Sequence, residues 1–194
     1  MENDEGVFHK MSNFVLEAKK RDLLKKEASK KYRKEGFIPA NMYGQGENIN
    51  FLIKKDAFEK ISSKISRATV IDVKFEDKTY QALVKDYEKD HLKDIFLHVD
   101  FYELKNGKPV TVSIPLTCVG SPIGLKKFGT FETFKSTVKV ECLPEDLVEN
   151  IEVDVSNLDI NQTFSVKDLV LDSKKFKVLD NADEVIANVT ASDK

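Results

Sequence analysis

The two side chains best suited to chemistry are His98 and Asp100, in the run Leu97-His98-Val99-Asp100-Phe101. On an extended backbone residues two apart point to one face, and Phe96 and Tyr102 are expected to continue the same row. An imidazole beside a carboxylate is half of a catalytic dyad, so a hydrolase or nuclease built on the pair is one reading. That reading needs a nucleophile or a further acid, and no motif ties a serine, a cysteine or a third carboxylate to the pair. The same two groups can hydrogen-bond base edges or 2′-hydroxyls of a folded RNA, which fits better. A His–Asp pair that satisfies itself at a sheet surface explains the pattern equally well. Other chemistry is poorly supported. Cys118 and Cys142 form no CxxC pair, which argues against a zinc site or a disulfide framework, and both are expected to be small core residues. Gly44-Gln45-Gly46 is followed by neither a third glycine nor a Lys-Ser/Thr step, so it reads as a turn and not as a phosphate loop. No metal or other cofactor is expected.

A second constellation supplies charge. From Lys19 to Gly44 there are nine basic residues against three acidic ones, a local balance of +6 in a chain of net charge −2. A compact basic patch on a chain without overall positive charge suggests a dedicated polyanion contact. A solvated helix face is the plainer explanation of such a run, and the two stand side by side.

Elements must bring these groups together. Period-two alternation from Phe14 to Arg21 predicts a strand, and residues 28–35 predict a short helix ended by Gly36. On that helix Lys30, Arg33 and Lys34 share a face, with Lys26 close by if the turn begins early. Residues 40–43 and 49–53 read as a hairpin. Ala57, Phe58, Ile61 and Ile65 fall at helical spacing within 56–65 and make an amphipathic helix over a sheet. Strands over 69–75 and 79–85 follow, then a polar loop over 86–94 and a strand over 95–104 carrying the His–Asp pair.

Residues 105–109 contain an Asn-Gly step that could turn a hairpin. A linker is the better reading, because residues 1–104 hold 20 basic and 19 acidic side chains whereas 105–194 hold 11 and 14. Downstream, the β-branched runs 110–119, 137–142, 151–155 and 184–189 predict a second, mostly β domain with an acidic bias. The expected organisation is a flexible extension over 1–12, a first domain over 13–104 and a second over 105–194. The N-terminus lacks a signal-peptide apolar segment and no apolar run approaches a membrane span, so a cytoplasmic protein without membrane contact is expected.

The block from Ala28 to Gly44 (ASKKYRKEGFIPANMYG), with Leu97-His98-Val99-Asp100-Phe101, resembles a bacterial ribosomal family: large-subunit protein number twenty-five, in its two-domain form, the general stress protein Ctc. Val140-Glu141-Cys142-Leu143-Pro144 and residues 151–155 are similar to that family's second domain. The resemblance implies a fold that is mainly β with short helices: a small RNA-binding β-barrel, then a second mostly β domain. It implies that the barrel binds 5S ribosomal RNA at loop E, with Arg21, Lys26, Ser29, Lys30, Arg33, Tyr43, His98 and Asp100 in contact. It implies no enzymatic activity, a cytoplasmic place on the ribosome, and neighbouring large-subunit proteins or other rRNA as partners of the second domain, the free protein being a monomer. The chain departs from the family where Lys25 and Glu27 flank Lys26 in place of glycines, and where Lys127-Phe128-Gly129-Thr130 replaces a Gly-Gly pair. The hydrolase or nuclease using His98 and Asp100 is the rival of a different class, and a second rival is a soluble stress protein that binds a protein partner through its β domain and touches RNA only incidentally.

Overall fold

The computed structural model describes residues 14–21, 26–44 and 48–191. The expected extension over 1–12, the charged loop at 22–25 and the Gln45-Gly46 part of the turn lie outside them. The chain divides between Lys108 and Pro109 into two compact units.

In the first unit the strands are β1 (Phe14–Lys20), β2 (Phe37–Gly44), β3 (Ile49–Lys54), β4 (Val70–Phe75), β5 (Lys78–Asp90) and β6 (Ile95–Glu103), with helices α1 (Lys26–Lys34) and α2 (Lys55–Ser62). They close a barrel in the order β1-β3-β2-β6-β5-β4. Parallel pairing of β1 with β4 and of β2 with β6 joins antiparallel ladders, and closure leaves the barrel without an open edge. Alternation puts Leu16, Ile38, Ala40, Met42, Phe51, Ile53, Ile71, Val73, Val99 and Phe101 inside. Phe51 lies against Phe75 and Phe101 at centroid distances of 6.0 and 5.7 Å. α2 adds buried Phe58, which meets Phe96 edge-on at 5.0 Å. Each fully buried phenylalanine removes enough apolar surface to contribute about 2–3 kcal/mol, so the interior and not the charged surface holds the barrel together.

Two expectations are corrected. The polar loop expected over 86–94 is mostly strand: β5 continues to Asp90, with Glu88 opposite His98 and Asp90 opposite Ile95. Polar side chains are tolerated there because most of 85–90 is solvent-exposed and the backbone ladder needs no apolar partner. The turn itself is residues 91–94, where Asp90 Oδ1 accepts the N–H groups of Leu92 and Lys93 and Asp94 adopts φ +52°. Phe96 does not share the His98 row but is buried with Val99 and Phe101, because the β5–β6 register slips between Glu88 and Lys89. A bulge of one residue reverses facing on one side of it.

The second unit has β7 (Val110–Val119), α3 (Ile123–Lys126), β8 (Gly129–Thr133), β9 (Thr137–Cys142), β10 (Ile151–Asp154), β11 (Gln162–Ser165), β12 (Lys177–Val178) and β13 (Val185–Ala191). They form one sheet in the order β10-β7-β9-β12 and another in the order β11-β13-β8. Neither β6 nor β5 pairs with β7, so the Asn106-Gly107 step joins no hairpin. Val153, Val155, Leu158 and Val189 anchor a core here. Cys142 is buried, its thiol pushed up to about 11 by burial and then by Asp146, whereas Cys118 is half-buried. Among the described residues no helix is long and apolar enough to cross a membrane.

Candidate nucleic-acid interface

α1 forms on a polar sequence because its ends are well made. Glu27 lies in the first turn and Lys31, Arg33 and Lys34 in the last, each sign complementing the helix dipole. Gly36 takes φ +81° just past the helix, and its own carbonyl accepts the Lys55 N–H at 2.9 Å. A Cβ at Gly36 would meet no atom within 4 Å, so glycine is required there by conformation alone.

Ser29 and Arg33, four residues apart, lie on one face of α1. Arg21, just past the end of β1, donates from Nη2 to Ser29 Oγ at 2.9 Å. Arg33 donates from Nη1 to the carbonyl oxygen of Leu97 at 3.1 Å. The helix is thereby tied to β1 on one side and, sixty-four residues away in sequence, to β6 beside His98. Lys30 and Lys34 are exposed on the neighbouring face. Lys31 approaches Glu35 at 3.9 Å with both side chains in solvent, a pairing worth little. Lys26 opens the helix.

His98 Nδ1 lies 3.1 Å from Asp100 Oδ1, both side chains half-buried. Asp100 stands level with Asn41 of β2 and with Asp86 of β5, and Tyr43 with Tyr102. Tyr43 and Tyr102 meet edge-on at 6.1 Å, with Lys85 Nζ 5.9 Å above the Tyr102 ring. Burial first, then Asp100, Asp86 and Tyr102, push the Tyr43 hydroxyl above its usual value, so it is a neutral donor through the physiological range. Arg67 holds Asp86 at 3.3 Å and offsets the like charge opposite Asp100.

Of the eight residues singled out from the sequence, Arg21, Ser29 and Arg33 join in one α1-centred arrangement, and His98, Asp100 and Tyr43 in a second that Arg33 reaches. Lys30 stands apart on the exposed face. Sequence reasoning missed Asn41, whose Oδ1 is buried without a hydrogen-bond partner, and it missed Arg67 and Lys85. A parity count along β2 would have marked Asn41; nothing local marks Arg67, which reaches its partner only through the β4–β5 pairing.

The arrangement offers fixed donors and acceptors beside exposed cations. Exposed cations of this kind suit phosphates, and a His–Asp–Tyr row suits the 2′-hydroxyls and edges of a shallow groove. Among the described residues no group of three or more His, Cys, Asp and Glu side chains is disposed to hold a metal ion.

Comparison with known proteins gives the same two units. Residues 16–101 match the model of the ribosomal L25p family, and residues 109–193 match that of the ribosomal protein TL5 C-terminal domain. Large ribosomal subunit protein bL25 of Treponema denticola is 35% identical over 162 residues, 83% of this chain and 77% of that one. The bL25 protein of Thermosipho africanus is 34% identical over 188 residues, 93% of this chain and 86% of that one. That of Natranaerobius thermophilus is 31% identical over 184 residues, 93% and 85% of the two chains.

Proposed function

Because the chain belongs to the ribosomal L25p family and carries a TL5-type C-terminal domain, we propose that its barrel binds 5S ribosomal RNA at loop E. The protein is a structural, non-enzymatic constituent of the large ribosomal subunit, placed on the ribosome in the cytoplasm. The observation that carries the loop E reading is the Arg33–Leu97 link, which sets a cationic helix beside the His98–Asp100 pair. Cations without fixed acceptors would bind any duplex; a His–Asp–Tyr row without cations would bind none tightly. Arg21, Lys26, Ser29, Lys30, Arg33, Tyr43, His98 and Asp100 are the proposed contact set. The second unit is proposed to meet neighbouring large-subunit proteins or other rRNA, and the free protein to be a monomer.

Titration of loop E RNA and of an unrelated duplex of equal length, at several salt concentrations, tests the reading. If about six phosphates are neutralised, log affinity falls with log salt at a slope on the order of −4 to −5. His98→Ala or Asp100→Ala should weaken loop E RNA more than the unrelated duplex. A flat salt response, or equal losses on both RNAs, would overturn it.

A further inference from the structure

The slip in the β5–β6 register lies at the residue next to the His–Asp pair. Glu88 is opposite His98 and Lys89 is opposite Phe96, so Leu97 has no partner on β5. On the other side of β6, the register with β2 begins only at Ala40–Val99. Pro39, the preceding residue of β2, has no N–H to give. Leu97 is therefore a bulged residue without a partner in the register of either neighbouring strand, and a backbone carbonyl left so costs free energy unless something else satisfies it. Arg33 does so, donating from Nη1 at 3.1 Å.

The bulge determines how this part of β6 faces. With strict alternation Phe96 would share the outer face with His98; with the extra residue Phe96 packs inside against Phe58 and His98 faces outward with Asp100. A strand that slipped back by one residue would have to expose Phe96 or bury the imidazole. We infer that Arg33 is a positioning residue: by capping the bulged Leu97 carbonyl it fixes the register that turns His98 toward the RNA, and it contributes little as a phosphate contact. This rests on the proposed RNA-binding reading and assigns Arg33 a role different from that of Lys30, three residues earlier on the same helix.

Arg33→Met keeps the packing of the stem and deletes the donor. In the protein without RNA, the imidazole resonances of His98 should shift in Arg33→Met and stay in place in Lys30→Ala. Loop E affinity should fall about tenfold or more in Arg33→Met while the salt slope stays at the wild-type value, whereas Lys30→Ala should reduce the slope by about 0.7–0.9. Combining Arg33→Met with His98→Ala should cost no more than the larger single loss. Unmoved His98 resonances, a slope reduced as in Lys30→Ala, or additive losses would each overturn the positioning role. Arg33→Leu, which also lacks a donor, gives the same readouts if Arg33→Met does not fold. Wild-type protein that fails to distinguish loop E from other duplexes would remove the RNA reading instead, leaving the resonance test of the Arg33–Leu97–His98 link intact.

Discussion

In the proposed RNA interface, side chains would divide the work between orientation and affinity, and Tyr43 would belong to the first group. It is half-buried, level with Tyr102 and close enough to Asp100 and Asp86 for both to raise its hydroxyl above the usual value. Its neutral O–H is held at the edge of the His98–Asp100 row, available as a donor. Tyr43→Phe should lower loop E affinity by about tenfold, the effect of one well-placed hydrogen bond, with no loss of folding stability. The contribution should be flat between pH 6 and 9, since a raised pKa keeps the hydroxyl protonated across that window. A titration of the variant beside wild type at three pH values reads both effects. The His98–Asp100 juxtaposition was legible in the sequence because strand parity fixes it. The burial of Phe96 was not, since a bulge leaves no local signature in residues that are all compatible with a strand.

At the scale of elements, α1 is a helix whose own packing is slight, so its termini decide whether it holds. Gly36 ends it at φ +81°, where an L side chain costs about 1–2 kcal/mol. Because no atom lies within 4 Å of a Cβ there, Gly36→Ala should destabilise the protein by about that amount, with no steric component. Gly36→Asn should cost less, since asparagine enters the left-handed region more easily. Denaturant unfolding of the two variants gives the comparison, and equal costs would point to a steric cause instead. The glycine stop was evident from sequence, as was the amphipathic face of α2. The extent of β5 was not: 86–90 reads as loop by polarity, and only its pairing with β6 makes it a strand.

For the molecule as a whole, each unit carries its own core and its own electrostatic ties. In the second unit Lys135 joins Asp180 at 2.9 Å and Glu184 at 2.5 Å, the Lys135 and Asp180 side chains being 16% and 12% exposed. Burial pulls the Lys135 ammonium down, but the hydrogen bonds to Asp180 and Glu184 outweigh it and its pKa is raised. Burial likewise pushes Asp180 up, and the bonds from Lys135 and the Lys139 backbone N–H outweigh it, leaving it lowered. The sign follows from linkage. The Asp180 contribution is complete above the ordinary carboxylate range and is lost as pH falls through its lowered value; the Lys135 contribution is complete below the ordinary lysine value and is lost as pH rises through its raised one. Lys135→Met should therefore destabilise this unit by about 2 kcal/mol near neutrality and progressively less as pH falls below the ordinary carboxylate range. Thermal unfolding followed at pH 7 and pH 3 shows the difference.

What the sequence by itself determined is whatever depends on residues near one another in the chain. Strand parity around His98, the basic run, the Gly36 stop and the β-rich second half all follow from spacing and residue type. The tertiary structure alone decided the rest. β8, β11 and β12 are short and have weak patterns of their own, so pairing with β13 and β9 defines them. The contact between Arg33 and Leu97 spans sixty-four residues and exists only because the barrel closes, bringing β2 and the helix before it alongside β6. A charge run and a His–Asp pair are two local facts; that they form one surface is a property of the closed sheet.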